Sequence, residues 1–251
     1  MKKIAIFILI IIIAGAGALW FLAPGALNDF IKTQIETIGS QTTDQIVSVN
    51  NVDVRLTQGM ASINGLTISS PSTYQQKHAF TLGTILLDID INSLTAEPII
   101  IENFTIKDAK AFVELTKTGD SNFKDILDAI NKNTPDPQAQ AIEEQETGKT
   151  PEPKIRIEKL ILSGVGLTVD LRQLGNKEHQ ETLPEINLGS IGGQAGIPAS
   201  QIGIEIGKRI MSSMWKQAKK VQMEKLKDKA KEKVQKKVTK ELNRFLDKLG
   251  S

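Results

Sequence analysis

The stretch IENFTIKDAKAFVEL at 101–115 returns in pattern as IEKLILSGVGLTVDL at 157–171, 56 residues further on. In the first copy Ile99 and Ile101 alternate with neutral positions, Glu102-Asn103 intervenes, and the apolar set resumes at Phe104 and Ile106, one step out of phase. After Asp108 it shifts back, to Ala111, Val113 and Leu115. The second copy repeats the shift: Ile155 and Ile157, then Glu158-Lys159, then Leu160 and Leu162, then Val165, Leu167, Val169 and Leu171. A period of two marks a strand with one buried face. A one-residue slip turns every later side chain to the other face unless a bulge or bend absorbs it. The pair therefore reads as one structural device used twice, and it ties the chain to a sheet with one oily side.

Shorter echoes of the same pattern are VNNVDV at 49–54, INGLTI at 63–68 and LGTILL at 82–87. Strands are predicted over 46–57, 60–69, 79–93, 98–106, 109–116, 154–163, 165–172 and 185–191, with Gly59 and Gly164 near tight turns. Such short connections predict a curved, groove-like antiparallel sheet of about 7–8 strands. Its polar face carries Asp53, Arg55, Asp88, Asp90, Glu114 and Asp170 among others. Its apolar face supplies the candidate groove residues: Ile68, Leu87, Ile89, Ile91, Ile99, Ile101, Phe104, Ile106, Val113, Leu160, Leu162 and Val169. Only 4 % of the chain is aromatic, so this surface is built from Ile, Leu and Val. Leaving it in water costs about 25 cal/mol per Å². Few segments are available as cover. Residues 122–132, NFKDILDAINK, predict a short amphipathic helix, whereas 134–153 is rich in Pro and Glu and reads as a flexible linker. Either helices close the sheet or part of the face stays open as a groove.

At the start of the chain, Lys2 and Lys3 precede an uncharged run from Ile4 to Leu22. A spanning helix needs about 20 such residues. With the lysines on the inner side, this predicts a single-pass inner-membrane anchor, a cytoplasmic N-terminus and a periplasmic body. A cleaved signal peptide with its processing site at Ala16-Gly17-Ala18 is the alternative. It would leave Leu19-Trp20-Phe21-Leu22 as an exposed new terminus. The expected organisation is a transmembrane anchor (1–25), a helical connector (26–45), a first sheet half with a short helix (46–133), the linker (134–153), a second sheet half (154–191), and a Gly/Pro loop followed by a long basic helix (192–251). Together these make an α+β chain.

The charge is uneven along that order. The whole chain is +2, with 31 Lys/Arg and 29 Asp/Glu. Residues 201–251 hold 15 basic and 6 acidic side chains, which leaves 16 and 23, or −7, for 1–200. From Ser200 onward apolar residues recur at helical spacing, including Leu226, Ala230, Val234 and Val238, and Gly250 suits a stop. At 1.5 Å per residue this predicts a helix ~75 Å long. Its first part (Ile202, Ile206, Ile210, Met214, Trp215) suits docking on the sheet, and its lysine-rich remainder projects. Three readings fit the remainder: a helix on an anionic membrane surface, a helix paired with a protein partner, and a solvated edge. The membrane-surface candidates are Lys219, Lys220, Lys227, Lys231, Lys236, Lys237 and Lys240. Nucleic-acid binding suits the lysine count but not a periplasmic body.

Catalytic chemistry is hard to find. With no Cys, disulfides, thiolate metal sites and a thiol nucleophile are excluded. His78 and His179 stand in polar surroundings, and no phosphate-loop, metal-spaced or nucleophile-elbow motif occurs. The expectation is a non-enzyme without metal or cofactor. The stretches VNNVDVRLTQGMASINGLTISSP (49–71) and AFTLGTILLDIDINSLTAEPIIIENFTIKDAKAFVEL (79–115) resemble the AsmA-like proteins of Gram-negative envelopes, over roughly 45–190. That resemblance implies a taco-shaped sheet with a lipid-facing inner surface and a role in phospholipid transport or outer-membrane homeostasis. The long basic helix departs from it, and only about two repeats are present. The expected partner is membrane phospholipid. The alternative is an envelope scaffold that presents its C-terminal helix to a protein.

Overall fold

The computed structural model describes residues 25–134 and 153–249. Helix α1 (Ala26–Thr43) leads into a first group of strands: β1 (Val47–Ser48), β2 (Asn51–Arg55), β3 (Met60–Ser69), β4 (His78–Ile89), β5 (Ile99–Lys107) and β6 (Lys110–Glu114). Helix α2 (Asn122–Asn133) follows, begun by Ser121, whose hydroxyl accepts the Lys124 N–H. The second group comprises β7 (Lys154–Ser163), β8 (Val165–Asp170), β9 (Glu178–Leu183), β10 (Ile186–Ile191) and β11 (Ile197–Pro198), and helix α3 (Ala199–Leu249) closes the described chain.

All eleven strands form one sheet. The two copies of the repeat lie side by side within it. Ile99 faces Ile155, Ile101 faces Ile157, Phe104 faces Leu160, and beyond the break Lys110 faces Gly166 and Val113 faces Val169. Every pair is separated by the same 56 residues that separate the copies, and the pairing is parallel. This corrects the antiparallel sheet expected from the sequence: the architecture is mixed. The physical reason is twofold. The two copies carry their phase shifts at the same steps, and the parallel register sets these shifts side by side. A parallel pair also needs a long crossover, which the segment between β6 and β7, carrying α2, supplies. Ile99, Ile101, Phe104, Ile106, Ala109, Ala111, Val113 and Leu115 are all buried, and so is the residue 56 further on in each case.

The shared phase shifts have a structural counterpart. β5 slips register against β4 between Ile101 and Asn103, and β7 slips against β10 between Ile157 and Leu160. The second shift falls on a line across the sheet. Extending the registers sets Asn50 opposite Gly65, Gly65 opposite Gly83, Gly83 opposite Asp108, Asp108 opposite Gly164, and Gly164 opposite Pro184. Along this line β1 gives way to β2, β5 to β6, β7 to β8, and β9 to β10. Four long strands are thus broken at one row, while β3 and β4 run through it. The excess over the 7–8 expected comes from the break between β1 and β2 and from β9 and β11, for which the sequence offered no alternating apolar pattern. Asp108 and Gly164 hold φ of 56° and 65°, the left-handed region that most side chains avoid. A Cβ on Gly164 would also lie 3.0 Å from Asp108 Oδ1. Gly164→Val is therefore expected to destabilise the protein by about 1–3 kcal/mol, read as a lowered midpoint of denaturant unfolding.

The expected spanning helix over 4–22 lies outside the described residues, as does the linker segment 135–152. Among the described residues no helix is long and apolar enough to cross a membrane, so the transmembrane element of the expected fold is not part of the observed one.

The apolar face is covered unevenly. Phe123, Ile126 and Ile130 of α2, with Ile210, Met211, Met214 and Ala218 of α3, are buried in one core with β5 to β8. Leu160, Leu162, Val113 and Val169 are 0–1 % exposed in consequence. Towards the other edge the cover thins. Ile63, Leu66, Ile68, Leu87 and Ile89 are only partly buried, and α1 adds a small cluster of Ile31 with Val49 and Val52.

Candidate functional site

Between the first sheet half, α1 and the start of α3 lies a cavity of about 330 Å³. Its walls come from the sheet (Ile63, Ile68, Leu87, Ile89 and neighbours), α1 (Ile31, Ile35, Ile38) and α3 (Ile202, Ile206, Ile210), with Ile130 of α2. Among the described residues, Thr42, Thr43 and Ser200 are its only non-glycine polar lining residues, and no charged side chain lines it. The lining of α3 is unusual in one respect. Gly203 and Gly207, one turn apart inside the helix, both face the cavity, and a Cβ built on either meets nothing within 4 Å. Each glycine costs a helix interior about 1 kcal/mol relative to alanine. Here the missing side chains leave open space, and they give up helix stability to do so.

Of the twelve sequence-derived groove candidates, Ile68, Leu87, Ile89, Ile99, Ile101, Phe104 and Ile106 line this cavity. Val113, Leu160, Leu162 and Val169 do not. They lie in the closed half of the sheet, because α2 and the docked part of α3 pack over them. Ile91 stands outside the cavity, 48 % exposed in the turn Ile91–Thr95 that follows β4. The contribution of α1 was missed altogether. The signal available was the spacing of Ile31, Ile35 and Ile38, which puts three isoleucines on one side of a helix.

The basic candidates sit on α3. Its docked part ends with buried Ala218 and Val221. Every residue from 231 to 241 is exposed, and Met223, Leu226, Val234 and Val238 are exposed apolar side chains on this projecting part. Lys219 lies over the Trp215 ring at 4.9 Å, and Lys236 pairs with Glu232 at 2.7 Å. Lys220, Lys227, Lys231, Lys237 and Lys240 are exposed on the same helix. Lys229, not among the candidates, donates to the carbonyls of Leu174 and Gly175 and so ties the helix to the turn after β8.

Two carboxylates placed on the exposed face by the sequence pattern are in fact buried. Glu114 and Asp170 face each other in the parallel register and are 2 % and 4 % exposed. The alternation that predicts solvent exposure ends where the strands end, and there loop and turn segments fold over both residues. Each is occupied by structural bonds. Glu114 Oε2 accepts the backbone N–H groups of Gln75 and Gln76 at 2.8 and 3.1 Å. Asp170 takes a bidentate grip from Arg172, Nη2 at 2.5 Å and Nε at 2.9 Å, and also accepts the Arg172 N–H. The hydrogen bonds from Arg172, against the opposing effect of burial, hold the Asp170 carboxyl below the usual carboxylate range. A depressed carboxyl stabilises the fold above its unfolded-state value, and that contribution disappears as the pH drops through the folded value. Arg172→Ala is therefore expected to lower the melting temperature at neutral pH, with the gap to the parent closing in acid. Among the described residues no group of three or more His, Asp and Glu is arranged to hold a metal ion.

No protein-family model matches the chain, and no curated protein matches it significantly.

Proposed function

We propose that this chain is a lipid-binding protein of the bacterial envelope, a short AsmA-like protein that holds an acyl chain of a membrane phospholipid in the cavity and contributes to phospholipid transport or outer-membrane homeostasis. The supporting observation is the cavity itself. The pocket is partly open and lined almost wholly by aliphatic side chains, and such surface left in water costs about 25 cal/mol per Å². An unbranched aliphatic guest removes this cost, and a lining without charged groups asks nothing else of it. The uncharged run Ile4–Leu22 comes just before α1 and supports a membrane-side, periplasmic location for the body. The projecting lysines of α3 then face anionic headgroups. A diazirine-bearing fatty acid added to the full chain and photolysed tests this reading. Adducts on α1, the first sheet half and residues 199–211 are expected. Adducts confined to the projecting helix, or none, would defeat it.

The exposed apolar residues of the projecting part favour one second reading, a scaffold that presents this helix to a protein partner. Cross-linking from positions 222–241 separates the two, because protein adducts support the scaffold and lipid adducts support the membrane surface.

A further inference from the structure

Strand pair β1–β2 forms one edge of the sheet, bonded among the described strands to β3 alone. An unpaired edge presents free backbone groups. Here helix α1 stands in for the missing strand. Its residues Asn28, Lys32, Glu36 and Ser40, four apart and so on one side of the helix, each reach the edge backbone. Asn28 Oδ1 accepts the Val54 N–H at 3.1 Å, Lys32 Nζ donates to the Asn50 carbonyl at 3.2 Å, Glu36 Oε1 accepts the Val49 N–H at 2.8 Å, and Ser40 Oγ accepts the Val47 N–H at 2.9 Å. The adjoining side of the same helix, with Ile31, Ile35 and Ile38, is a wall of the cavity.

The two ends of α1 are held differently. At the C-terminal end Asn133 Nδ2 donates to the carbonyls of Gln41 and Thr42 and to Asp44 Oδ1, which ties that end to α2. At the N-terminal end Gly25 sits in a left-handed conformation and supplies no side-chain cap. Between them the fastening is four side-chain bonds and a small apolar cluster in which Leu27, Phe30, Ile31 and Ile35 of the helix meet Val49, Val52, Val54, Ile63 and Leu66. Water replaces such bonds readily, in contrast to a strand ladder or a deep core.

We propose that α1 is a gate: it swings off the β1–β2 edge about its Asn133-tied end and admits an acyl chain to the cavity from the side of the sheet. This rests on the cavity being the lipid site. During opening the edge N–H and carbonyl groups exchange the four helix side chains for water, so the sheet itself stays intact while the wall moves.

The absence of cysteine makes a selective lock possible. In K32C/N50C a reducible bis-methanethiosulfonate bridge joins helix to edge. Uptake is followed with cis-parinaric acid, an unbranched fatty acid that fluoresces in apolar surroundings, on the full chain held in amphipol. The bridged protein is expected to take up the probe about tenfold more slowly than the same protein after reduction, with equal final amplitude. N28A/E36A, which removes two of the fastening bonds without any bridge, is expected to take it up several-fold faster than the parent. Equal rates before and after reduction, or an unchanged rate in N28A/E36A, would overturn the gate and leave the cavity as a lipid site. No probe signal in any form would overturn the cavity reading, and the gate with it.

Discussion

Replacing Gly203 and Gly207 together with leucine is expected to strip the protein of bound lipid while making it harder to melt. Both positions lie inside α3 and face the cavity, and neither has a neighbour within 4 Å of an added Cβ. Two isobutyl groups would therefore enter open space without displacing the sheet. Helix propensity alone favours each change by about 1 kcal/mol. For a chain of this size each kcal/mol raises the melting temperature by roughly 2–4 °C. Loss of function with a gain in stability is the signature of a cavity kept open for a guest. Lipid extraction followed by quantification, beside a thermal melt of the same preparation, reads both effects. If the double variant melts lower than the parent, the space is not open as described. If it keeps its lipid, the lipid sits elsewhere.

Neutralising Lys220, Lys227, Lys231, Lys237 and Lys240 to glutamine is expected to leave the melt unchanged and to weaken binding to anionic vesicles by about three to four orders of magnitude. Each lysine near an anionic leaflet contributes about 1 kcal/mol, and every 1.4 kcal/mol is a factor of about ten. All five side chains are exposed on α3, so their removal disturbs no packing. The effect on the parent should shrink as salt rises, because exposed charges are largely screened beyond a Debye length, about 8 Å at physiological ionic strength and shorter at higher salt. Co-sedimentation with vesicles of phosphatidylglycerol and phosphatidylethanolamine measures it. Unchanged binding would remove the projecting helix from the membrane and favour a protein partner.

The readable part of this structure was the part in which one residue pattern dictates one face. Ile99, Ile101, Phe104 and Ile106, with their counterparts 56 residues on, bury the side that alternation assigns to them. The amphipathic helix over 122–132 and the long helix of the tail follow from apolar spacing in the same way. Pairing direction was not readable from alternation, which is blind to it. Only the identical phase shifts of the two copies carried that information, since they coincide in a parallel register alone. Glu114 and Asp170 were misplaced because a strand pattern cannot show what folds over the strand's end. The groove was half anticipated. Ile68, Leu87 and Ile89 line it, but Leu160, Leu162 and Val169 are sealed by α2 and α3. The role of α1 was hidden for a further reason: Asn28, Lys32, Glu36 and Ser40 look like an ordinary solvated helix side until the edge backbone that they bind is in place.

Whether the cavity is a lipid site is decided most directly by native mass spectrometry of the full chain, purified from membranes in mild detergent and stripped of micelle in the gas phase. A bound mass matching one phospholipid or fatty acid, retained by the parent and absent from G203L/G207L, is the expected result. A parent that arrives only at its bare mass, under conditions that preserve a control lipid carrier's ligand, would contradict it.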